Sequence, residues 1–85
     1  MIFVHLSVAT IAQRLSPPNK RYRKAILSVE NANIRYRVDG EPPTIETGHL
    51  LFAAGTLILE NGVEIEQCQV IATSGIADVM LTLEE

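Results

Sequence analysis

Apolar and polar positions alternate with a period of two along most of this chain. In Ile2-Phe3-Val4-His5-Leu6-Ser7-Val8, the residues Ile2, Val4, Leu6 and Val8 share one face of an extended segment, with His5 and Ser7 on the other. Residues 9–15 carry no clear period and are compatible with a short helical turn. Ser16-Pro17-Pro18-Asn19 interrupts the pattern, because proline fixes φ and restricts the residue before it. Ala25-Ile26-Leu27-Ser28-Val29-Glu30 reads as a second strand. The alternation is clearest in Ile34-Arg35-Tyr36-Arg37-Val38, which sets Ile34, Tyr36 and Val38 toward a core and Arg35 and Arg37 away from it.

Turn signals divide the rest. Asp39-Gly40 marks a tight turn, Pro42-Pro43 keeps the chain extended, and Gly48 breaks it again before the apolar stretch His49 to Ala53. Thr56-Leu57-Ile58-Leu59-Glu60 predicts a strand. Asn61-Gly62 is a strong hairpin signal, so Glu64 to Thr73 is expected to return as its partner, with a bulge near Gln67 where the alternation slips. After Ser74-Gly75, Val79, Leu81 and Leu83 alternate with Met80, Thr82 and Glu84 in a last strand. The expectation is an all-β fold: a small antiparallel β-sandwich or barrel of six to seven short strands, with no long helix.

The 85 residues provide for a single domain, 1–85, in which residues 1–24 form either an amino-terminal arm or an edge strand. Hydrophobic residues at 47% and charged residues at 20% are ordinary for a globular chain and exclude a disordered tail or a disulfide-knit toxin. No apolar run approaches the ~20 residues of a membrane helix, and residues 1–6 lack the basic and apolar regions of a secretory signal. The single cysteine, Cys68, sits in an apolar stretch and reads as a small hydrophobe.

Charge is divided along the chain. All seven cations, Arg14, Lys20, Arg21, Arg23, Lys24, Arg35 and Arg37, lie in the first 40 residues against Glu30 and Asp39, a net of +5. Residues 41–85 hold eight acids and no cation, a net of −8, so the whole carries −3. Two readings follow: strands of the two halves interleave and the charges mix, or the molecule has a basic and an acidic pole suited to head-to-tail association.

Candidate chemistry is sparse. His5 and His49 are the only side chains suited to acid–base work near neutral pH, and neither lies in a nucleophile motif. A zinc site from His5, His49, Cys68 and one acid has no support in the spacing. No Gly-rich phosphate loop occurs. We therefore expect no enzyme, no cofactor and no metal. Lys20-Arg21-Tyr22-Arg23-Lys24, four cations around one aromatic, is the feature most like a nucleic-acid contact, yet a single such run in an acidic chain fits a solvated loop or a contact to an acidic protein surface better. Lys20, Arg21, Arg23, Lys24, Arg35 and Arg37 are the candidate partner-interface residues.

Residues 30–51 carry a more specific signal. Glu30, Ala32, Ile34, Arg35, Arg37, Asp39, Gly40, Pro43, Thr44, Gly48 and Leu51 match the pattern Glu-x-Ala-x-(Ile/Val)-Arg-x-Arg-x-Asp-Gly-x-x-Pro-Thr-x-x-x-Gly-x-x-Leu. The segment resembles one found in small virion-associated β proteins of tailed bacteriophages and prophages, and the likeness runs from Glu30 to Leu83. The resemblance implies a virion structural protein, made in the bacterial cytoplasm and carried on the particle. The first expectation is a capsid decoration or cement protein, homo-oligomeric and bound to the major capsid protein or another virion protein. The alternatives are a neck, collar or tail-fibre component in host attachment, or a free-standing ligand-binding β module. The pattern brings no catalytic residues. In physical terms it describes a strand, a turn and an extended exit, for which a structural role is the simplest explanation; a functional version would have Arg35, Arg37 and Asp39 lock a loop at an assembly interface.

Overall fold

The computed structural model describes residues 1–15 and 21–85. Among these residues eight strands and one short helix follow one another: β1 (Ile2–Val8), β2 (Gln13–Arg14), β3 (Lys24–Glu30), β4 (Ile34–Arg37), β5 (His49–Leu51), β6 (Thr56–Leu59), α1 (Gly62–Gln67), β7 (Gln69–Ala72) and β8 (Ala77–Glu84). They make two four-stranded antiparallel sheets, ordered β1-β8-β3-β6 (sheet A) and β2-β7-β4-β5 (sheet B). The fold is all-β, as the alternation predicts. It has one strand more than the highest count expected, because residues 9–15 supply the two-residue β2 rather than a helical turn. The Pro17-Pro18 break and Lys20 lie outside the described residues.

One core joins the sheets. Ala25, Leu27 and Val29 of β3 and Val79, Leu81 and Leu83 of β8 are sealed in it with Ile34 of β4 and Val70 and Ala72 of β7. Strict alternation in β8 buries every second residue from Ala77 to Leu83. At about 25 cal/mol per Å² of apolar surface removed from water, this shared interior is the main source of stability. Ile2–Val8 form an edge strand in register with β8 from Ile2↔Leu83 to Val8↔Ala77.

The order of strands decides between the two readings of charge. In both sheets, strands from the first 40 residues alternate with strands from residues 41–85. Each ladder therefore pairs a strand from the cation-bearing half of the sequence with one from the acid-bearing half, and in β3·β8 the charges themselves meet. Lys24 stands across from Glu84, and the Arg23 guanidinium lies 4.0 Å from the Glu84 carboxylate. Arg23 and Lys24 thus lie beside Glu84, and Arg37 pairs with Asp39, so these cations stand next to acids as the mixed reading expects.

The hairpin expected at Asn61-Gly62 is absent. Asn61 is extended (φ −119°, ψ 122°), and its side-chain oxygen accepts from the Val63 and Glu64 N–H groups at 2.9 and 3.2 Å. This is a helix N-cap. A type I′ turn needs positive φ at both central residues and would return the chain to the same sheet. Here α1 carries the chain from β6 in sheet A to β7 in sheet B, with Ile65 buried against the core. The expected bulge near Gln67 is the end of this helix.

Candidate functional site

Residues 38–48 leave β4, cross the outer face of sheet B and re-enter it as β5. Alternation along β4 points Ile34 and Tyr36 into the core and leaves Arg35 and Arg37 on the outer face, as expected from the sequence. Neither arginine is a free surface cation. Arg35 Nε donates to the Ile45 carbonyl at 3.1 Å, and its Nη1 donates to the Gly48 carbonyl at 2.9 Å. Arg37 Nε and Nη2 donate to the two Asp39 carboxylate oxygens at 3.1 and 2.5 Å. Gln69, across from Arg37 on β7, donates to the Gly40 carbonyl at 3.2 Å. Three adjacent outward side chains on β4 and β7 thus hold the loop by its start, middle and end.

Inside the loop the other residues from Asp39 to Gly48 have local work. Gly40 has φ +87° and Gly48 φ +128°, both costly for a residue with a Cβ. A Cβ on Gly48 would also stand 3.2 Å from the Tyr36 carbonyl oxygen. Pro43 is buried. The Thr44 hydroxyl accepts from the Glu46 and Thr47 N–H groups at 3.2 and 2.9 Å, and the Thr44 and Thr47 backbones bond each other. Asp39 accepts from the Glu41 N–H besides Arg37. The Arg37 hydrogen bond holds the Asp39 carboxyl below the ordinary carboxylate range against a smaller cost of desolvation, and the same bond raises Arg37. The result is a stiff outward loop that presents Ile45 (49% exposed), with Leu50 of β5 also exposed beside Arg35.

The remaining sequence candidates do not join this site. Arg21 and Arg23 are exposed and Lys24 is half-buried at the start of β3, in the other sheet from Arg35 and Arg37. Arg23 and Lys24 line a depression of about 400 Å³ together with Glu60 and Glu84, so its charges are balanced. Tyr22 is only 4% exposed and belongs to the core. It offers no face on which a nucleic-acid base could stack.

The two histidines are also apart. His5 Nε2 lies 2.9 Å from Asp78 Oδ1 on the outer face of sheet A, where the Asn31 amide donates to the second Asp78 oxygen. His49 stacks obliquely on Tyr36 across β4 and β5, with ring centres 5.3 Å apart. Cys68 is buried, and its thiol is pushed up to about 12, first by desolvation and then by the Glu64 charge. Among the described residues no three His, Cys, Asp or Glu side chains stand close enough to hold a metal ion.

Sequence reasoning missed the apolar row on the outer face of sheet A. Phe3, Thr82, Ile26 and Ile58 stand opposite one another across β1, β8, β3 and β6, with Phe3 60% and Ile58 52% exposed. The signal was present as apolar residues at outward parity, Phe3 between Ile2 and Val4 and Ile26 between Ala25 and Leu27. No helix among the described residues is long and apolar enough to cross a membrane. Set against protein-family models, curated proteins and solved structures, the chain has no match in any of the three.

Proposed function

We propose that this chain is a structural protein of a tailed-phage particle and acts as a decoration protein on the outer capsid surface. The observation that carries the reading is the arginine-held loop at residues 38–48. The residues that resemble the phage segment, Arg35, Arg37, Asp39, Gly40, Thr44 and Gly48, are those that hold or shape this loop. They build a rigid surface and leave no reactive group free. A pre-ordered loop with apolar Ile45 at its surface suits docking, because little conformational entropy is lost on contact. The mixed surface charge suits it too: affinity then rests on apolar burial, with charge governing orientation.

The test is the composition of purified particles made by the phage or prophage that encodes the chain. Quantitative mass spectrometry should find on the order of hundreds of copies per particle, as repetition over a symmetric shell requires. Cryo-electron microscopy should place residues 38–48 against the shell. About a dozen copies or fewer would assign the chain to the neck or tail instead. Particles without the chain would end the virion reading.

A further inference from the structure

Four strands end the two sheets: β1 and β6 in sheet A, β2 and β5 in sheet B. Their lengths are seven, four, two and three residues. A short edge is one way in which folds avoid unwanted strand pairing. β1 is the exception, and it lacks the other usual guards as well. Ile2–Val8 contain no proline, lysine or carboxylate, and the register with β8 runs unbroken over all seven residues, so no bulge turns the strand away.

The side chains of β1 also lack cover. At the inward positions of the central strands β3 and β8, Leu27, Val29, Val79 and Leu81 are fully sealed. At the matching positions of β1 only Val8 is sealed, while Val4 and Leu6 are half-buried and Ile2 is 37% exposed. The difference between these strands is a neighbour on the second side.

The geometry points to a second copy of this chain as that neighbour, added antiparallel along β1 about a twofold axis through His5, so that sheet A continues across the axis as eight strands. The inward positions of β1 read alike in both directions from His5. Ile2 would face Val8 of the second copy, Val4 would face Leu6, and Phe3 would face Ser7, so apolar residues meet on the core side in every inward pair. The chain carries a net charge of −3, yet β1 has no carboxylate or lysine, so two copies meet here with no acid opposite an acid. Backbone pairing supplies the attraction and covers Val4 and Leu6. One strand pair is small beside the ~1,600 Å² of a standard interface, so the dimer forms in the micromolar range or above. This inference stands apart from the particle reading and is tested without a capsid.

Sedimentation velocity of the full chain over a series of concentrations up to about 1 mM reads the equilibrium directly. The mass should rise from 9.3 kDa toward twice that value. His5→Lys sets two ammonium groups face to face across the axis while leaving Asp78 a cationic partner, and should raise the dissociation constant about tenfold or more with an unchanged circular-dichroism spectrum. In a second test, His5→Cys should be joined as a dimer by a short bis-maleimide, whereas Ile58→Cys, equally open on the β6 edge, should not. A mass of 9.3 kDa across the whole range, a dimer indifferent to His5→Lys, or equal cross-linking at both cysteines would overturn the proposal.

Discussion

Arg35 reaches across the loop that follows its own strand and donates to the Gly48 carbonyl 13 residues later, at 2.9 Å. Gly48 in turn has its Cα so close to Arg35 that an added Cβ would stand 3.3 Å from the arginine Cβ. The arginine closes the loop, and the glycine leaves room for it to do so.

Removing this closure should loosen residues 38–48 before it unfolds the sheets. Arg35→Ala takes a guanidinium from two backbone carbonyls, and hydrogen bonds to charged groups contribute about 1.5–3 kcal/mol each. We expect urea unfolding to show a loss of about 2 kcal/mol and limited proteolysis to cut first near Glu46. Arg35→Lys should recover only part of this, because an ammonium does not span both carbonyls as the planar fork does. A variant as stable and protease-resistant as the parent would show that the loop holds itself.

Tyr22 and the cation beside it should behave oppositely. Tyr22 is buried and Arg21 exposed although they are adjacent. Tyr22→Ala should cost about 3–5 kcal/mol, as large aromatic truncations in cores do. Arg21→Ala should stay within about 0.5 kcal/mol. Chemical denaturation of the two variants separates them, and a costly Arg21→Ala with a harmless Tyr22→Ala would mean that the strand entry runs one residue out of register.

The Arg37–Asp39 pair predicts a direction in acid. A carboxyl held below its ordinary value favours the folded state above the unfolded value near 3.9, and this contribution is lost as pH falls through the lower folded value. Carbon-13 detected titration should place the Asp39 midpoint below 3.9, and Arg37→Ala should move it upward. Asp39 is exposed and Arg37 only half-buried, so the effect on melting should be slight and shrink further in salt.

Cys68 should be chemically silent in the folded protein. Its thiol is pushed up to about 12 by burial and by the nearby Glu64 charge. The neutral thiol favours the folded state fully below the unfolded value near 8.5, and that advantage is lost between there and about 12 as pH rises. A disulfide reagent at pH 8 should react only after denaturant is added, and labelling at the rate of a free thiol would contradict its burial.

Helix α1 depends on its cap. Asn61→Ala removes the acceptor for two N–H groups and should cost about 0.5–2 kcal/mol, while Asn61→Gly should cost only a few tenths. Thermal melts of both variants decide this. Equal losses would mean that Asn61 matters for something other than its side-chain oxygen.

The alternation of Ile34 to Val38 and of Val79 to Leu83 was enough to predict strands and their buried faces, because the period of two is set by the backbone within a few residues. The segment from Arg35 to Gly48 was likewise legible as strand, turn and exit. Three matters required the fold. Asn61-Gly62 has one local chemistry and two uses, turn or cap, and the choice rests on the next strand joining the other sheet. That Arg35 could lock a loop was legible, but which groups it would hold was not, because its partners, the carbonyls of Ile45 and Gly48, are backbone groups without a sequence signature. The +5 and −8 halves are a property of the sequence alone, but their mixing is a property of strand order, in which each strand of one half lies between or beside strands of the other. Local periodicity is decided by covalent geometry over a few ångströms, whereas neighbours across a sheet are decided by how the whole chain closes over one core.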